Sequence, residues 1–240
     1  HFKMDNSKDF YYQDIFNYSS FLKDDFLTDC EIRIHSKEKT SEFTSIKAHR
    51  LVLANSSVFF HALFTSGMEE SQTGVVDVYD DIHGLLTKII DWMYSGIINF
   101  TLNDLIPLLN LAHKYGIEQL ETILKDDLSK HLNAANVLKF AQICYDDELQ
   151  NVLDILIPFL SLHFSEISIQ DFSNTLDVAT FAKVIKETDL STEEKIIKIT
   201  DFLQNWEPSA EEKLQLFYAF SPSESQLKHL AKIHNVKWLP

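Results

Sequence analysis

Between Ile46 and Ser71 the chain reads IKAHRLVLANSSVFFHALFTSGMEES, and this run limits the possible folds more than any other stretch. Ala48, Leu51, Val52 and Leu53 form an apolar approach, and Asn55, Ser56 and Ser57 are helix-capping residue types. Val58, Phe59, Ala62 and Leu63 then recur at helical spacing, so the run predicts a strand end followed by a helix. Thr65, Ser66 and Gly67 stop that helix, since glycine enters the left-handed region at little cost. Met68, Glu69 and Glu70 are left on the connection beyond it, an apolar side chain beside two carboxylates on an exposed loop.

The neighbouring segments agree with a small sheet flanked by helices. Cys30, Ile32 and Ile34 alternate with Glu31 and Arg33, the period of a half-buried strand. The polar stretch Ser36 to Glu42 turns this strand back into Phe43 to Ala48 as a hairpin, and Val75, Val76, Val78 and Tyr79 predict a third strand. Leu85, Leu86, Ile89, Ile90, Met93 and Tyr94 share one helical face that Gly96 closes. A repeat follows: Leu108-Leu109, Leu111-Ala112, Tyr115, Leu120 and Ile123-Leu124 return as Val137-Leu138, Phe140-Ala141, Tyr145, Leu149 and Val152-Leu153. Each copy is a helix, a polar break and a second helix, and the two copies are expected to pack together as a bridge to the following region. Beyond it, Ser168 with Asp171, Ser191 with Glu194, Ser209 with Glu212 and Ser221 with Glu224 mark helix starts, and Ile196, Ile199, Leu203 and Trp206 form one buried face.

Composition narrows the function classes. Five Gly and five Pro are too few for the many tight turns of a sandwich or propeller, so the fold class is α+β and mostly helical. A net charge of −15 opposes contact with phosphate backbones or anionic lipid, which makes nucleic acid and membrane unexpected partners. Two isolated cysteines, Cys30 and Cys144, form neither a disulfide framework nor a metal pattern and suit a reducing compartment, the cytoplasm or the nucleus. No stretch approaches the roughly 20 apolar residues of a membrane helix. There is no phosphate-binding glycine loop, no HExxH and no GxSxG, and the ten histidines are scattered, so neither a catalytic site nor a cofactor nor a metal is expected.

Asp29-Cys30-Glu31-Ile32, Ala48 to Ala54 (AHRLVLA), then Ser57, Phe59, Phe60, Phe64, Gly67, Met68, Glu70, Ser71 and Tyr94-Ser95-Gly96 keep the order and spacing of a BTB/POZ domain, which the chain resembles over residues 20 to 130. The stretch NAANVLKFAQICYDDELQ and the helix ending at Asn205-Trp206 resemble the helical BACK domain that follows BTB in many adaptors. The implied organisation is a leader or tag at 1–9, with His1-Phe2-Lys3 ahead of Met4, a BTB domain at 10–131, a BACK domain at 132–207 and a helical tail at 208–240.

The resemblance also implies sites and partners. BTB adaptors of the Kelch-like type hold the N-terminal region of Cullin-3 through a hydrophobic residue, any residue and Glu, which Met68-Glu69-Glu70 matches, with Phe64 and Ser71 beside it. Helices at about 133–164, the 3-box of the family, extend that contact, and the adaptor presents a protein substrate whose identity is not readable. BTB domains dimerise through an N-terminal helix, which here falls on the aromatic segment 10–27. The implied homodimer contacts are Phe10, Tyr11, Phe16, Phe21, Leu22 and Phe26. Asp29 and Arg50 occupy positions of an acid and a base that pair in the fold, and a buried structural ion pair is expected. The other reading of the same residues is a BTB–BACK scaffold that self-associates without binding cullin. A substrate-binding module such as a propeller or MATH domain is not visible in the sequence.

Overall fold

The alternation at Cys30, Ile32 and Ile34 is realised as strand β2 (Cys30–His35), with those three side chains buried and the residues between them half-buried. β3 (Phe43–Ala48) runs antiparallel to it, from Cys30 opposite Ala48 to His35 opposite Phe43. On its other side lies β4 (Val75–Val78), which is parallel, giving the sheet order β3-β2-β4. The computed structural model describes residues 8–11, 17–35, 42–79, 84–204, 209–219 and 222–234. The expected turn at 36–41, Phe16, Asn205-Trp206 and Ser221 lie outside them.

The chain divides into two compact units, His1–Lys130 and His131–Pro240. In the first, a second sheet pairs β1 (Lys8–Tyr11) antiparallel with β5 (Ile97–Phe100). This corrects the helical reading of residues 10–27. Phe10 and Tyr11 are strand residues, consistent with the β preference of aromatic side chains, and helix is limited to the single turn α1 (Ser19–Lys23). A second difference falls on the opening run. The strand stops at Ala48 because the next backbone N–H, that of His49, donates to Tyr94 Oη at 2.7 Å, and Arg50–Ser56 then coil into helix α2.

The rest of this unit follows the sequence closely. α3 (Val58–Thr65) and the five-residue α4 (Glu69–Thr73) precede β4, and α5 (Leu86–Ser95) ends at Gly96 in the left-handed conformation, φ +68°. Leu86, Ile89, Ile90, Trp92, Met93 and Tyr94 of α5 are buried and form the centre of the core. α6 (Leu102–Lys114) starts in a capping box of Thr101 and Asp104, and α7 (Glu118–His131) completes the helix pair of the first repeat copy.

The described residues of the second unit are helical. The second repeat copy is α8 (Val137–Asp146) with α9 (Gln150–Leu162), so the two copies are divided between the two units. α10 (Ile169–Thr175), α11 (Val178–Glu187) and α12 (Thr192–Leu203) contribute a phenylalanine core in which the Phe181 and Phe202 rings stack at 3.9 Å and Phe164 and Phe172 at 4.9 Å. Tyr145 donates its hydroxyl to Thr180 Oγ1 at 2.9 Å and accepts from Asp177 N at 3.1 Å, which ties α8 to the start of α11. α13 (Ala210–Tyr218) packs on α11, so this part of the expected tail belongs to the second unit. α14 (Glu224–Ile233) is capped by Ser223 with Gln226.

Ser191 with Glu194 and Ser209 with Glu212 form full capping boxes. Hydrogen bonds from the serine side chain and backbone hold both carboxyls below the ordinary value of 4.5. An unfolded chain therefore takes up protons near pH 4.5 that the folded chain resists, and this contribution is present above that pH and lost as pH falls below it. Melting temperatures measured from pH 7 to pH 4 are expected to fall less steeply for a Glu194→Gln plus Glu212→Gln variant than for the parent chain.

Candidate partner-binding surface

Helix α3 is held at its start from a distant part of the chain. Ser57 Oγ accepts from Phe60 N at 3.1 Å and donates to the Tyr115 carbonyl at 2.5 Å, while Val58 N donates to the Gly116 carbonyl at 3.1 Å. The turn between α6 and α7 thus satisfies donors that a helix start leaves free. It can come this close because Gly116 has no side chain. A Cβ there would lie 3.0 Å from Val58 Cβ, and its φ of +59° disfavours other residues. Phe60 is buried and stacks on Tyr115 at 5.7 Å and on Phe64 at 6.0 Å, so the far end of α3 is fixed as well.

Beyond α3 the chain turns through Ser66 and Gly67, the latter at φ +76°. Ser66 Oγ donates to the Leu63 carbonyl at 2.9 Å and accepts from Met68 N at 3.2 Å. Met68 is the N-cap of α4 and is 63% exposed, and its carbonyl accepts from Ser71 Oγ at 2.6 Å. Glu69 is exposed, whereas Phe64, Glu70 and Ser71 are half-buried. The sequence places Glu69 and Glu70 on a connection. They belong instead to the first turn of α4, where acids interact well with free N–H groups.

Arg50 ties this turn to the sheet. Its Nη1 donates to the Ser71 carbonyl at 2.6 Å, its Nε to the Asp29 carbonyl at 3.1 Å, and its guanidinium lies over the Phe64 ring at 5.5 Å. Asp29 Oδ1 accepts from Arg50 N at 2.8 Å. The expected buried Asp29–Arg50 ion pair therefore takes another form. Asp29 is exposed and caps α2, for which His49 supplies no side-chain cap, and the guanidinium serves backbone carbonyls rather than the carboxylate. Gly74 leaves room for it: a Cβ at this position, φ +74°, would lie 2.6 Å from Arg50 Nη2 and 2.8 Å from the Asp29 carbonyl.

A second surface forms around α1. Phe21 stacks on Tyr18 at 6.2 Å and on Phe26 at 5.8 Å, beside a groove of about 510 Å³ walled also by Leu27, Leu51 and Trp92. Leu27 and Leu51 are 77% and 81% exposed, and Leu22 is half-buried. Asp25 and Leu27 adopt φ of +52° and +58°, a conformation that costs non-glycine residues roughly 1–2 kcal/mol. His49 Nε2 donates to the Phe26 carbonyl at 2.6 Å and Lys47 pairs with Asp25 at 2.9 Å, which holds this strained segment with its apolar side chains outward. Phe21 and Phe26, which the resemblance implies as homodimer contacts, stack on each other here. Leu51 belongs to the apolar run that the sequence places at a strand end, and its exposure beside Phe21 and Phe26 is not visible from that pattern. The side chains of Phe10 and Tyr11 lie outside the described part of β1.

Burial pushes the thiols of Cys30 and Cys144 up to about 12, which makes both poor nucleophiles. Among the described residues no group of three or more His, Cys, Asp or Glu is arranged to hold a metal ion, and no helix is long and apolar enough to cross a membrane.

Residues 18–132 match the family model of the BTB/POZ domain. The chain is 28% identical to Kelch-like protein 7 of Rattus norvegicus over 165 residues, 68% of this chain and 27% of that protein. It is 25% identical to Kelch-like ECH-associated protein 1A of Danio rerio over 197 residues, 81% of this chain and 32% of that protein. Kelch-like protein 3 of Homo sapiens is 25% identical over 213 residues, 88% of this chain and 33% of that protein. The matched region thus spans about a quarter to a third of these curated relatives.

The clamp makes a ranked prediction for stability. Asp29→Ala removes one helix cap and is expected to cost about 1 kcal/mol. Gly74→Ala is expected to cost more, since its backbone conformation alone adds roughly 1–2 kcal/mol and its methyl group also meets the Asp29 carbonyl. Thermal unfolding should order the chains as parent, Asp29→Ala, Gly74→Ala. A Gly74→Ala chain that melts with the parent contradicts the clamp.

Proposed function

For a chain that carries a BTB/POZ domain at residues 18–132 and resembles the BTB–BACK, Kelch-like type of protein, we propose a dimeric adaptor that binds the N-terminal region of Cullin-3 and brings a protein substrate to a ubiquitin ligase. The observation that carries this reading is the presentation of Met68. An apolar side chain is exposed on a turn braced by Ser66, Ser71 and Arg50, at the position where the family carries its hydrophobic anchor, and Glu70 follows two residues later. A flexible thioether suits an irregular apolar groove on a partner, and the Glu70 carboxylate suits its hydrogen-bond donors. The helices from about 133 to 164 extend the contact in this reading. A turn that is already ordered loses little conformational freedom on binding, so more of the contact energy is retained as affinity.

Homodimerisation is the second part of the proposal, and the face built from Phe21, Phe26, Leu27 and Leu51 supports it. Apolar side chains presented together by a strained backbone segment favour a partner that covers them. A self-associating scaffold without cullin needs this face alone.

Two measurements separate the parts. Calorimetric titration with the Cullin-3 N-terminal region is expected to show binding that weakens by roughly 1–3 kcal/mol for Met68→Ala and again for Glu70→Ala. No binding at tens of micromolar favours the scaffold. Sedimentation equilibrium is expected to give a dimer for the parent chain and a folded monomer for a Phe26→Asp plus Leu51→Asp variant, while a variant that stays dimeric removes this face from the interface.

A further inference from the structure

Six hydroxyl residues in the described part of the chain have a carboxylate three positions downstream: Thr28, Ser66, Thr101, Ser168, Ser191 and Ser209. In four of them the carboxylate is already engaged in a helix cap. Asp104 accepts from Thr101 N at 3.0 Å, Asp171 from the Ser168 hydroxyl at 2.6 Å, Glu194 from the Ser191 hydroxyl at 2.8 Å and Glu212 from Ser209 N at 2.8 Å. Thr28 is half-buried and leads directly into β2, where Cys30 is buried. Ser66 differs from all of these. It is exposed on the turn between α3 and α4, and the carboxylates that follow it, Glu69 and Glu70, have no hydrogen-bond or ion-pair partner among the described residues.

The same hydroxyl holds the turn together, through its bonds to the Leu63 carbonyl and to Met68 N. We propose that Ser66 is the acceptor of an acid-directed serine kinase, one that requires a carboxylate three residues after its target, and that phosphorylation unlocks the turn presenting Met68. The terminal phosphoryl group of ATP passes to Ser66 Oγ. An O–P ester bond forms, the β–γ anhydride breaks, ADP leaves and the hydroxyl proton goes to the kinase's base. The ester has no proton to donate to the Leu63 carbonyl. It also places a charge of about −1.5 to −2 beside the C-terminal end of α3, already the negative end of that helix, and close in sequence to Glu69 and Glu70. Both effects favour opening between Ser66 and Gly74.

The consequence for cullin rests on the function proposed above, whereas the site and the opening of the turn do not. The test treats the full chain with an acid-directed kinase and ATP, maps the phosphate by peptide mass analysis, and follows amide hydrogen exchange over 66–74. A phosphate at Ser66 is expected, lost in Ser66→Ala and at least about tenfold slower to form in Glu69→Gln. Amides of Met68 to Gly74 are expected to exchange about tenfold faster in the phosphorylated chain. No phosphate at Ser66, or incorporation there indifferent to Glu69→Gln, overturns the site, and unchanged exchange overturns the opening. Titration with the Cullin-3 region then separates the two proposals. Affinity that falls at least tenfold on phosphorylation supports the switch, and unchanged affinity rejects it. An unmodified chain that does not bind rejects only the cullin reading, while the phosphate map and the exchange rates still decide this one.

Discussion

Arg50 donates to carbonyl groups on two segments, Asp29 just ahead of β2 and Ser71 of the short helix α4, while its face rests on Phe64. A guanidinium suits this task because it stays charged and presents its donors in a fixed plane. A helix of five residues such as α4 has little stability of its own, so its place depends on what grips it. The grip requires Gly74, where a side chain would collide with the guanidinium and the Asp29 carbonyl together. Sheet, α3 and α4 therefore meet at one corner, and the exposed Met68 is held there through its backbone, by Ser66 and Ser71.

Much of this fold is legible in the sequence wherever periodicity and punctuation agree. The alternation of Cys30, Ile32 and Ile34, the helical face from Leu86 to Tyr94 and the capping serines at 168, 191 and 209 all have local causes, and local causes are visible in a single chain. Elements that depart from the sequence pattern depend on distant partners. Phe10 and Tyr11 become a strand by pairing with Ile97 and Ile98, and Arg50–Ser56 becomes a helix where the His49 N–H is taken by Tyr94. Neither partner lies within a window that periodicity can survey.

The candidate surface shows the same division. Met68 could be picked out from residue type and position, but the geometry that braces it could not. Asp29 and Arg50 are neighbours, but the carboxylate bonds to the Arg50 N–H and the guanidinium to backbone carbonyls rather than to each other. The resemblance implies an ion pair between them, whereas backbone groups left free at a helix start and at a turn compete for the same charged side chains. The exposure of Leu51 is hidden in the sequence for a related reason. Its apolar neighbours are half-buried or buried, and the winding of α2 turns it outward.

The cap that α3 receives from Tyr115 has a bearing on how the first unit comes into being. Ser57 and Tyr115 are separated by 58 residues, and an eight-residue helix has no lasting existence in water by itself. The loop between them must close before α3 has its acceptors, and closure of a long loop is an entropic cost met ahead of any reward. On this ordering α3 and the turn that follows are late arrivals in folding. They are also among the earliest parts to come loose when the α6–α7 turn opens, so the durability of the Met68 surface is set on the far side of the chain from Met68 itself.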